Sequence, residues 1–196
     1  MMGKKKYTYH WYIEQFNNAK YKAERLAENT DAALLTRKPT PDTWSAGECL
    51  RHLIQFGNIY YKNINRGFET ATLGIANSAE QFPPRLIWKG IIKLFEPPYR
   101  FKMKTIDSFR PAEDKNDNLD FDRTLANFLE LQNRFINQLE RGRQQGISLT
   151  NEKVSNPVLQ FIKMTLSESF AVAEAHQRRH LWQAQKIITT LHKSQE

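Results

Sequence analysis

Four stretches of this chain repeat apolar residues at helical spacing, and two of them open on a Ser/Thr-x-x-Glu box, a combination that points to packed helices. The first is Ser45-Ala46-Gly47-Glu48, followed by the stripe Cys49, His52, Leu53, Phe56, Ile59 and Tyr60. In such a box Ser45 accepts from the backbone and Glu48 reaches back to it, so a helix begins here with His52 on its apolar face. The second, Thr165-Leu166-Ser167-Glu168, starts a helix that runs to about Leu191 with Phe170, Ala173, Ile187 and Leu191 on one stripe.

Two further stretches lack the full box. Tyr12, Phe16, Ala19, Ala23, Leu26, Ala33 and Leu34 predict one long helix that stops before the loop of Pro39 and Pro41. After Asp120, the residues Leu125, Phe128, Leu129, Gln132, Phe135, Ile136 and Leu139 predict another, with Gly142 and Gly146 at its exit. No alternating pattern argues for a strand, and there is no internal repeat. The expected class is all-α, a bundle of four helices.

Residues 67–118, between the second and third helices, contain Pro83, Pro84, Pro97, Pro98 and Pro111 and are expected to form a long irregular crossover. Arg85 to Phe95 is its one candidate helix, because Leu86, Ile87, Ile91 and Leu94 approximate a face. A crossover of this length is expected to cover a site. The chain of 196 residues, 40% of them apolar, fits a single domain over residues 1–196, with residues 1–6 as a flexible tail.

Charge narrows the partners little. The 29 basic and 21 acidic residues leave a net charge of +8, but the basic side chains are scattered and only Lys4, Lys5 and Lys6 form a run. Nucleic acid is therefore not the expected partner. No secretory h-region follows the lysines and no stretch is apolar enough to span a bilayer, so a cytoplasmic protein with no membrane partner is expected. The lone Cys49 excludes an intramolecular disulfide and suits a reducing compartment.

His176 and His180 stand one turn apart on the inward stripe of the last helix, with Cβ atoms about 6 Å from each other, close enough to share a metal ion. His52, inward on its own helix, is a candidate third ligand. Three imidazoles leave a coordination position open, as catalytic sites do. The competing account is three buried histidines satisfied by hydrogen bonds, and an H-x-x-x-H pair alone does not decide between them. His10 and His192 lie near the ends and are expected on the surface.

Other side chains near the histidines have two accounts each. Glu48 serves as a cap or as a base beside His52; Gln55 and Gln183, three residues after candidate ligands, are candidate pocket residues or amides bonded within the bundle. Cys49 is a candidate fourth ligand or a core residue. Glu174 is expected on a flank or at the surface, Arg178 and Arg179 on a solvated face with Arg179 at most bordering the cavity. Trp44, Trp88 and Trp182 are expected to anchor packing. No residue receives a catalytic role.

With Trp44-Ser45 leading to Glu48 and His52, and His176-Gln177-Arg178-Arg179-His180-Leu181-Trp182-Gln183 in the last helix, the chain resembles the DinB/YfiT-like family over nearly its whole length. Asn156-Pro157 before the last helix, and Lys104-Thr105 and Phe109-Arg110-Pro111 in the crossover, extend the likeness. The resemblance implies a four-helix bundle in which His52, His176 and His180 hold a divalent ion, zinc or nickel, and Cys49 does not. It further implies an enzyme that uses a low-molecular-weight thiol on a small-molecule substrate, or a metal-dependent hydrolase. The alternative is a non-catalytic stress-response or binding bundle whose metal is structural or absent. Superfamily relatives are often dimers, so a homodimer is expected.

Overall fold

The computed structural model describes residues 6–75, 79–98 and 119–194. The crossover motifs Lys104-Thr105 and Phe109-Arg110-Pro111, and Lys4 and Lys5, lie outside them. Six helices and a two-stranded ribbon occur among the described residues: α1 (Tyr9–Glu28), α2 (Ala32–Thr36), α3 (Ala46–Glu69), α4 (Leu86–Phe95), α5 (Phe121–Gln144), β1 (Lys153–Ser155), β2 (Lys163–Thr165) and α6 (Leu166–Lys193). Among the described residues the chain is all-α apart from that ribbon. No helix here is long and apolar enough to cross a membrane.

Both boxes form as their residues dictate. Ser45 Oγ accepts from Glu48 N at 3.1 Å while Ser45 N donates to the Glu48 carboxylate at 2.7 Å, and Thr165 and Glu168 repeat the exchange at 3.1 and 2.8 Å. Each satisfies two N–H groups that a bare helix start would leave without a partner. Asp120 caps α5, whose far end closes on Gly146 in the left-handed region (φ 63°), with Ile147 N donating to Gly142 O and Gly146 N to Arg143 O.

The first helix is not continuous. Asn29, Thr30 and Asp31 interrupt it, and the Asp31 side chain accepts from Ala33 N to start α2 afresh. The apolar phase carries across this short break, which is why periodicity alone joins the two. The ribbon is a second departure from expectation: Val154 pairs with Met164 between flanks of only one residue each, too short to show alternation. The crossover begins after Glu69 rather than at Gly67, which is buried within α3.

The four long helices pack in the cyclic order α1, α5, α3, α6, with α4 laid on the outside of α6. Their apolar faces fill two clusters. One is centred on Tyr12, Phe16, Phe135 and Phe170, whose rings meet at 4.7 to 6.1 Å, and the other on Leu50, Phe128, Ala184 and Ile188. The two meet where α3 passes from Leu53 to Phe56 and α6 from Ala175 to Leu181. His52, His176 and His180 occupy that junction.

Candidate metal centre

Helix phase brings the three histidines together. His52 lies two turns into α3, and His176 and His180 face it from one stripe of α6, all three buried at 2%, 7% and 7% exposure. Each offers a ring nitrogen within 4.8 Å of those of the others, and among the described residues no other group of His, Cys, Asp or Glu does this. His52 Nε2 stands 2.8 Å from His176 Nε2. Two imidazole nitrogens so close either share one proton or turn both lone pairs on a common cation.

Aromatic rings wall the cluster. Phe56 stacks on His176 with ring centres 3.8 Å apart and planes 2° from parallel, and Phe95, the last residue of α4, meets it edge-on at 5.1 Å. Trp44 covers the other side, 4.9 Å from His52 and 5.6 Å from His180. Burial lowers the pKa of His176 well below the ordinary range, and the adjoining His180, His52 and Arg179 add to it. For His180 burial again leads, followed by His52 and Arg179, with a hydrogen bond to Gln183 opposing them. Both rings are therefore neutral at pH 7, the form in which imidazole binds a metal.

A divalent ion fits these residues. His176 presents its Nε2 to the Nε2 of His52 at 2.8 Å, and His180 brings a third ring nitrogen within 4.8 Å, so one ion could take a lone pair from each. Three buried imidazoles converging from two helices are a lone-pair donor set, and nitrogen donors suit zinc and nickel alike. Cys49 is not part of it: the thiol is fully buried in the second cluster, and burial, then the Glu48 carboxylate, push its pKa far up.

The neighbouring side chains fall partly as the sequence suggests. Gln183 hydrogen-bonds to His180, whereas Gln55 is half-buried on α3 beside Phe56. The Glu48 carboxylate is held by Ser45 N and by Lys38 Nζ at 2.9 Å, the contacts of a cap. His10 and His192 are exposed, and Trp88 is core. Trp182 is half-buried, under Lys186.

Glu174, Arg178 and Arg179 are not on a solvated face. Glu174 is buried and paired with Arg178, which also reaches Glu96 at 3.5 Å, and the buried Arg179 donates from Nη1 to Leu94 O at 3.2 Å. The reason is α4, which covers this side of α6 and ends among these groups. The sequence signal was present in the pairing of Glu174 with Arg178 at i and i+4, but that spacing is equally common on open helices.

The fold and cluster thus define a helical bundle with a buried three-histidine centre compatible with a divalent metal. The model of the DinB superfamily matches residues 15–184, and the chain belongs to that superfamily. No curated protein and no solved structure matches the chain.

Proposed function

We propose that this chain is a metal-dependent enzyme in which His52, His176 and His180 hold zinc or nickel, and that it transfers a low-molecular-weight thiol to an electrophilic small molecule. The observation that carries the reading is the convergence of three buried imidazoles from two helices, with burial holding His176 and His180 in the neutral form. Such an ion, when bound, is a Lewis acid that makes a thiol or water a stronger nucleophile at neutral pH. In transfer, the sulfur gives its electron pair to the electrophilic carbon, the leaving group departs with the pair of the broken bond, and the thiol proton is released to solvent.

The chain's own part is to orient and exclude. Phe56, Phe95 and Trp44 fix the imidazole planes and keep water from their faces, and Gln183 orients the His180 ring. Hydrolysis of an ester or amide uses the same open position. We place the protein in the cytoplasm, where such thiols are kept reduced, and take a homodimer as its assembly. A second reading, a non-catalytic binding or stress-response bundle with a structural metal, draws on the closeness of the aromatic walls.

Metal analysis of protein purified without chelator or affinity tag tests the foundation. About one divalent ion per chain is expected, and His52→Ala or His180→Ala should each remove it. Metal-free wild type would overturn the proposal. With metal present, turnover of a chromogenic electrophile with one of a panel of thiols supports transfer, turnover of esters or amides supports hydrolysis, and inactivity in both supports the structural metal.

A further inference from the structure

Helix α4 is apolar on two sides. Trp88 and Ile92 face the bundle and are buried, while Leu86, Ile87 and Leu94 turn outward at 84%, 70% and 55% exposure. At 100° per residue Leu86, Gly90, Leu94 and Ile87 fall in one arc, and no described residue lies within 4 Å of a Cβ built at Gly90. Lys89 and Lys93 are exposed along the edge of that arc.

A second apolar projection stands beside the first. Arg85, at the start of α4, donates from Nη2 to Lys163 O at 2.8 Å and so ties the helix to the ribbon. In the loop between β1 and β2, Phe161 is 82% exposed, and Val158 and Leu159 are also exposed. Residues 83–96 and 152–165 together hold four lysines, Lys89, Lys93, Lys153 and Lys163, against two acids, Glu96 and Glu152, which are engaged within the chain by Arg178 at 3.5 Å and by Thr72 N at 3.0 Å. The one acid that meets Arg85 is Glu168, from α6, and it is buried.

We propose that this face docks on an anionic bilayer surface, with Leu86, Ile87, Leu94 and Phe161 seated below the headgroups and Lys89 and Lys93 against the phosphates. Large exposed apolar side chains grouped on a folded protein mark a contact surface, and lysines at the border of an amphipathic helix select anionic lipid. A second copy fits less well. A two-fold contact sets the patch on itself, so the lysines would face lysines, with the flanking Glu96 and Glu152 already held by Arg178 and by Thr72 N. Peripheral docking needs no spanning helix, so the lack of one among the described residues does not oppose it. The inference is independent of the metal reading.

Co-sedimentation of the full chain with vesicles tests it, using phosphatidylcholine alone and phosphatidylcholine mixed with phosphatidylglycerol. Partition into the mixed vesicles is expected, weak partition into the neutral ones, and a decline with added salt. Lys89→Glu with Lys93→Glu should lower partition more than tenfold, since each lysine near the surface contributes about fivefold. Lys89→Gln with Lys93→Gln should give a smaller drop with an unchanged circular-dichroism melt, and Ile87→Ser with Phe161→Ser should also weaken it. No partition, equal partition into both vesicles, or indifference to the lysine changes would overturn the proposal. So would a dimer in sedimentation velocity that Ile87→Ser dissociates, since the occupant would then be a second copy.

Discussion

Phe56 shows how closely the histidine cluster depends on residues that coordinate nothing. Its ring lies flat on His176 and also stacks on Tyr60 at 4.5 Å, so it links the wall of the histidine cluster to the first core cluster. Phe56→Ala should cost about 3–5 kcal/mol in urea unfolding, the range for removing a buried phenyl ring. It should also reduce metal retention against a chelator, because His176 loses the surface that fixes its plane. A normal retention time in the variant would show that the helix backbone alone positions the ring. His176 and His180 were legible because their spacing is local, and His52 because its own capped helix fixes its phase. Glu174, Arg178 and Arg179 were not, because what buries them is α4, a segment more than seventy residues away whose docking no helical period on α6 encodes.

At the scale of the element, α6 begins on a carboxylate with three duties. Glu168 accepts from Thr165 N, from Arg85 N at 3.0 Å and from the Arg85 guanidinium at 2.7 and 2.8 Å. Burial alone would raise its pKa, but the Arg85 guanidinium and the two backbone N–H groups outweigh burial and hold it below the ordinary 4.5. The folded value is the lower one, so its stabilisation is fully present above about pH 4.5 and is lost as pH falls through the folded value. Urea unfolding from pH 7 downward should therefore show wild type losing its advantage over Glu168→Gln in the acid range; parallel curves would contradict this. Within α5, Gly142 leaves room for Phe68 and for Tyr9, whose Oη would lie 2.8 Å from an added Cβ. Gly142→Ala should destabilise by about 1–3 kcal/mol despite the better helix former, measurable by thermal melting. The helix starts were readable from Ser45, Thr165 and Asp120, whereas the break at Asn29 to Asp31 and the three-residue strands were not. A short interruption preserves phase, and a strand of three residues has too few positions to alternate.

The whole molecule is a ring of four helices whose two core clusters meet at the histidines, so an ion at that junction would tie the clusters together. Saturating zinc or nickel at about a hundred times its dissociation constant should add about 2.7 kcal/mol, a rise in Tm of about 5–10 °C for a chain of this size, and His180→Ala should abolish the rise. The class of fold and the order of its long helices followed from periodicity, but the seating of α4 on α6 did not, since nothing in a proline-bearing segment states which neighbour it will choose. The spread of the ligands along the chain also bears on synthesis. His52 and His176 are 124 residues apart. A nascent chain therefore exposes one ligand well before the other two, and metal cannot be captured at full strength until α6 has left the ribosome and closed on α3. Under the proposed metal reading, loading would be a late event, set by the pool of free ion that the finished protein meets rather than by whatever the emerging helix encounters first.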